Sequence, residues 1–218
     1  MKKEQIDTDQ LIQNMLDEGP QKPLPHPMWQ TSLWLLATLF YLATLSGYFG
    51  LRGDIAEKFS EPSYFIDILL LFGLGIFSTF AALCLSRPDG YQMPRLKFVP
   101  IGFILAWAIL AFGGSAEINV ANIFHSMSLG QFDCLWHILL FSTPPGLALF
   151  LIVRKGATIQ YCWAGTMATL SATAFGYLLM RLIEQNDNPV HLIMWHAVPI
   201  ILMCIVGMII GKFALKWR

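Results

Sequence analysis

Residues 132–145 read FDCLWHILLFSTPP, and within them Cys134 and His137 place a thiol and an imidazole three residues apart. On a helix that spacing sets both side chains on one face. His191 and His196 follow in the last apolar stretch, and His125, Glu117 and Asp133 precede Cys134. Thiolate and imidazole together suit zinc or copper, so a metal ion at Cys134, His137, His191 and His196 is one expectation. A redox-sensing thiol is another. At 3.6 residues per turn, His191 and His196 lie about 140° apart on an α-helix. One of them is therefore expected to face the lipid headgroups while the other faces inward. Catalysis has less support. A Cys134–His137 nucleophile and base would need an orienting third group and an oxyanion donor, and no GxSxG, HExxH or phosphate-binding loop occurs. The expectation is a protein that is not an enzyme.

The surrounding chain decides what solvent these groups meet. Of 218 residues, 56% are hydrophobic and only 13% charged, with mean hydropathy +0.57. Soluble domains carry about 25% charge, so the composition is that of a membrane protein. Net charge is zero, which removes any electrostatic argument for nucleic acid binding. Apolar windows near the ~20 residues that a bilayer-crossing helix needs run approximately over 31–50, 64–85, 98–115, 135–153, 160–180 and 190–211. Backbone groups in lipid must be satisfied within each segment, so these are helices. The expected fold is all-α: a six-helix transmembrane domain over residues 29–218, preceded by a cytoplasmic segment, 1–28. Nearly thirty polar residues ahead of the first apolar run argue against a cleaved signal peptide.

Lysine and arginine set the orientation. With the N-terminus inside, Lys2, Lys3, Lys22, Arg87, Arg95, Lys97, Arg154, Lys155, Lys212, Lys216 and Arg218 are cytoplasmic. Only Arg52, Lys58 and Arg181 are outside, a positive-inside bias. Both termini are then cytoplasmic and Cys134 lies at the outer surface. Asp67 is expected to pair with Arg181 or a histidine at the outer end. Ala164, Ala168, Ala172 and Gly176 form a small-residue stripe, and Gly207 and Gly211 a GxxxG, both suited to close helix approach. Pro144, Pro145 and Pro199 each delete a helical hydrogen bond and predict kinks. Cys84, Cys162 and Cys204 read as packing residues on or toward the cytoplasmic side.

In the N-terminal segment, Asp7, Thr8 or Asp9 could cap a short helix that groups Leu11, Ile12, Met15 and Leu16 on one face and ends at Gly19–Pro20. PQKPLPHP then reads as a stiff spacer up to Trp29. So short a helix is marginal alone in water. Its apolar face wants a partner, either the membrane and the protein's own loops or a cytosolic protein.

The order and spacing of PLPHPMW, DCL, TPP, RKGA and MWH across six spans resemble the NrsF family. The resemblance implies an inner-membrane anti-sigma factor of Gram-negative bacteria. Such a protein holds an ECF sigma factor at the membrane and frees it on oxidative or metal stress. It also implies a sensor made of two outer-face cysteines, the first matching Cys134. Residues 183–194, IEQNDNPVHLIM, hold no second cysteine, and Glu184 stands roughly where one would fall. Metal binding, an intermolecular disulfide and oxidation of a single thiol all remain open. The alternative function is a small carrier or metal transporter, with Thr166, Thr169, Ser171 and Thr173 available to line a path.

Overall fold

A computed structural model describes residues 8–17, 24–93, 95–113 and 132–216, and among them every regular element is helical. Helix α1 (Thr8–Asp17) precedes α2 (Pro27–Phe49), a short α3 (Ile55–Ser60) and α4 (Pro62–Leu85). Then follow α5 (Val99–Gly113), α6 (Phe132–Arg154), α7 (Tyr161–Ile183) and α8 (Pro189–Ala214).

Five of these, α2, α4, α6, α7 and α8, are long and apolar enough to cross a membrane. The third of the six expected spans is shorter than its window. α5 has 15 residues, about 22 Å at 1.5 Å per residue, against a hydrocarbon core of about 30 Å. Residues 114–115 of that window lie outside the described residues.

α7 is the central helix, with almost every residue from Ala164 to Arg181 buried. Its small residues are the reason. A Cβ on Gly165 would run into the Gly207 carbonyl and the Gly211 backbone, and one on Gly176 into Ser142 and the Ile138 carbonyl. The GxxxG of α8 thus seats on Gly165 and Thr169 of α7, while Ala172 and Gly176 of the small-residue stripe face Gly146, Ser142 and Ile138 of α6. For helices apolar enough to cross a membrane, close backbone approach and interhelical hydrogen bonds are the contacts suited to holding a bundle together. Ser171 Oγ supplies one of those bonds, lying 2.5 Å from Thr79 Oγ1 and donating to the Gly75 carbonyl at 2.9 Å.

The prolines act differently from one another. α6 runs on as helix through Pro144 and Pro145, and Trp34 Nε1 donates to the Pro145 carbonyl at 3.1 Å. Ahead of Pro199, α8 widens into a π-helical turn over Leu192–Ala197. Pro199 has no N–H for the carbonyl four residues back, and the i→i+5 pattern passes acceptors to donors one residue further on. At the start of α2, His26 Nδ1 accepts from Met28 N–H at 3.3 Å and Pro27 takes the first helical position. The helix therefore begins two residues before Trp29.

Charge is segregated between the two ends of the bundle. One end gathers Arg87, which donates to the Pro25 carbonyl, and Lys97, 3.5 Å from Gln160 Oε1 and over the Trp163 ring. This is the basic end. The opposite end holds Arg52, Lys58 and Arg181, every one paired. Arg52 binds Asp54 at 2.7 Å and Asp187 at 2.8 Å, Lys58 binds Glu61 and Asp187, and Arg181 binds Asp67 and Asp187, each at 2.7 Å. The expected Asp67–Arg181 pair is present, and Trp107 Nε1 from α5 adds a 2.7 Å bond to Asp67. Tyr64 accepts both guanidinium groups on its ring and donates its hydroxyl to the Arg181 carbonyl.

Candidate functional site

Just beneath this paired-charge end, Cys134 and His137 occupy the first two turns of α6. Cys134 Sγ donates to Glu184 Oε1 at 3.3 Å. Glu184 is the residue immediately after α7, where an extended backbone turns the chain toward α8. The same Oε1 lies 2.8 Å from His191 Nε2, and Oε2 lies 3.1 Å from His196 Nε2. One ligand atom from each of Cys134, Glu184, His191 and His196 lies within 4.8 Å of the others.

The two histidines correct an expectation. Both are buried, and their ring centroids stand 5.1 Å apart at 72°, with neither side chain turned to lipid. The 140° separation assumed α-helical winding. The π turn between them brings positions five apart over one another, so Pro199 is what assembles the pair. His196 also meets the ring of Tyr177 edge-on at 4.9 Å.

His137 is a second correction. Three residues make 300° of helical rotation, so His137 stands about 60° around from Cys134. That is enough to send the two side chains to different neighbours. His137 Nδ1 lies 2.6 Å from the Asp133 carbonyl, and its ring packs against Phe49 and Phe141. The cluster is Cys–Glu–His–His, with Glu184 in place of His137. Sequence reasoning placed Glu184 where a second cysteine was expected without giving it a role. The carboxylate's position between a thiol and two imidazoles is the signal that was missed. Glu117 and His125 lie outside the described residues.

Electrostatics hold Glu184 ionised. Burial alone would raise its carboxyl, but His196, Cys134 and His191 beside it outweigh that and lower it. Cys84, Cys162 and Cys204 cannot reach Cys134. Cys84 ends α4 and Cys162 opens α7 at the basic end, while the Cys204 carbonyl faces Thr166 near the start of α7. All four cysteines are free thiols. An intramolecular two-cysteine switch therefore has no second member here.

The NrsF family model, described as negative regulator of sigma F, matches residues 16–217. The chain belongs to the NrsF family. As an NrsF protein it is a negative regulator of a sigma factor. Neither a curated protein nor a solved structure matches the chain. The NrsF match begins at residue 16, so nearly all of α1 lies ahead of it and must be judged on its own chemistry. Ile12 and Leu16 are 51% and 72% exposed on that helix. The side chains of Leu11 and Met15 lie outside the described set.

Proposed function

We propose that this NrsF protein is a multi-pass anti-sigma factor of the bacterial inner membrane. In this reading six spans cross the bilayer, α5 among them, and both termini face the cytoplasm. Residues 1–28, with Leu11, Ile12, Met15 and Leu16 as the docking face, sequester an ECF sigma factor at the membrane. The basic loops 86–97 and 154–159 assist. The cluster around Cys134 lies at the periplasmic face, where an oxidative or metal stress signal shifts α6 against α8 and releases the sigma factor. The chain works by binding, without catalysis and without touching nucleic acid itself.

The family match over residues 16–217 carries this reading. The charge layout supports the orientation. The three cations assigned to the outside are each neutralised by a carboxylate, while Arg87, Arg95, Lys97, Arg154 and Lys155 belong to the opposite end. The exposed Ile12 and Leu16 support a docking helix. The carrier alternative loses support from the hydroxyls of α7. Thr166, Thr169 and Thr173 donate to carbonyls of their own helix, leaving fewer polar groups to line a path.

Two measurements test the proposal together. Affinity purification of the intact protein from native membranes recovers a sigma factor, and deleting residues 1–20 raises transcription from that factor's promoters. Recovery of no sigma factor, with transcription unchanged by the deletion, overturns it.

A further inference from the structure

We infer that Cys134, Glu184, His191 and His196 form a closed four-ligand site for a zinc-class divalent cation. Three separate parts of the chain deliver the ligands: the first turn of α6, the residue after α7, and the start of α8, where His191 immediately precedes the π turn that holds His196. Their mutual spacing of up to 4.8 Å is about 1 Å wider than a tetrahedral shell. Bond lengths of about 2.3 Å to sulfur and 2.0–2.2 Å to nitrogen or oxygen put neighbouring ligands about 3.3–3.6 Å apart. Binding contracts the widest of these spacings around the ion.

Charge favours the same ion. A thiolate and a carboxylate bring two negative charges and two neutral imidazoles bring none, so a divalent cation leaves the buried site neutral. An uncompensated charge there would carry a heavy desolvation cost. The donor set separates metals as well. One thiolate with two imidazoles suits zinc, whereas calcium and magnesium need shells of oxygen. His196 supplies a further observation. It is wholly buried, and neither ring nitrogen has a hydrogen bond of good geometry among the described residues, although Nε2 points at Glu184. Coordination would satisfy it. As the Cys134–metal bond forms, the thiol proton leaves to bulk water.

This inference rests on the regulator reading only for its purpose: it names the signal as a cation that clamps α6, the end of α7 and α8 together. The site itself stands on geometry. The test uses full-length protein in detergent, stripped with chelator and titrated with Co²⁺, then with Zn²⁺ as competitor. The expected result is one Co²⁺ per chain, showing tetrahedral d–d absorption and a thiolate charge-transfer band, both abolished by Zn²⁺. Cys134→Ser removes the charge-transfer band. Glu184→Gln, which preserves shape, weakens binding at least tenfold with little change in unfolding temperature of the metal-free protein. His137→Ala leaves binding unchanged. Absence of the bands, or bands indifferent to Cys134→Ser and Glu184→Gln, overturns the site. Sigma-factor capture by the metal-free protein is measured in parallel. Capture without cobalt binding sinks this inference alone, and cobalt binding without capture sinks the regulator reading alone.

Discussion

Replacing Arg181 with methionine should destabilise the bundle more than neutralising its partner Asp67, and the two changes should not add. Arg181 Nε holds Asp67 at 2.7 Å and Nη1 holds Asp187 at 2.7 Å, with both Arg181 and Asp67 buried. Methionine keeps much of the side-chain volume but strands the Asp67 carboxylate, whose remaining partner among the described residues is the neutral indole N–H of Trp107. Breaking a buried pair from one side costs about 3–5 kcal/mol. For a chain of this size that is a fall of about 6–20 °C in unfolding temperature. Asp67→Asn keeps an acceptor for Trp107 and leaves Arg181 with Asp187, so its cost is about 1 kcal/mol, the scale of one net hydrogen bond. In the Asp67→Asn background the methionine strands no charge at Asp67, and the coupling between the two sites is about 2 kcal/mol. Thermal unfolding of the four proteins in one detergent, followed by tryptophan fluorescence, measures this. Additive effects would refute the reasoning, as would a larger loss from Asp67→Asn than from Arg181→Met.

Acid should loosen the same end. Burial tends to raise the Asp187 carboxyl, but hydrogen bonds from Arg52, Arg181 and Lys58 hold it well below the usual carboxylate range. A depressed carboxyl contributes stability that is complete above about pH 5 and lost as pH falls below about 4; Asp187→Asn should flatten the unfolding temperature over that window. Gly165→Leu should unseat α8 from α7, because the added side chain meets the Gly207 and Gly211 backbone; overpacking costs about 1–3 kcal/mol or more, read as a lowered unfolding temperature. For orientation, a membrane-impermeant maleimide applied to spheroplasts of a background lacking native cysteines should label Glu57→Cys and spare Arg95→Cys, two exposed positions at opposite ends. The reverse pattern would invert the assigned topology.

Legibility in the sequence followed the range of each interaction. The long helices were readable because a long apolar segment has to satisfy its backbone within itself wherever water is absent. Asp67 and Arg181 were readable because a charge within an apolar helix has to find an opposite charge at its own depth. The seam at Gly165, Gly207 and Gly211 was half readable: small residues announce close approach without naming the partner helix. The site was readable in Cys134, His191 and His196 but not in their arrangement. A regular α-helix parts the two histidines, and only the π turn ahead of Pro199 joins them. A proline signals a lost hydrogen bond, whereas the way the backbone recovers from it depends on neighbouring helices. His137 misled because three-residue spacing leaves about 60° of rotation, enough for Phe49 and Phe141 to capture the ring. Glu184 was seen only as a missing cysteine, since the convergence of α6 and α8 on that turn is a tertiary fact.

The central claim is that the exposed face of α1 holds a sigma factor at the membrane. It is tested most directly by reconstituting the intact protein in lipid nanodiscs and titrating it with the sigma factor that co-purifies from native membranes. Saturable binding that is lost when Ile12→Asp and Leu16→Asp are introduced together is the predicted result. Equal binding by the double variant, or none by the unaltered protein, would contradict the account.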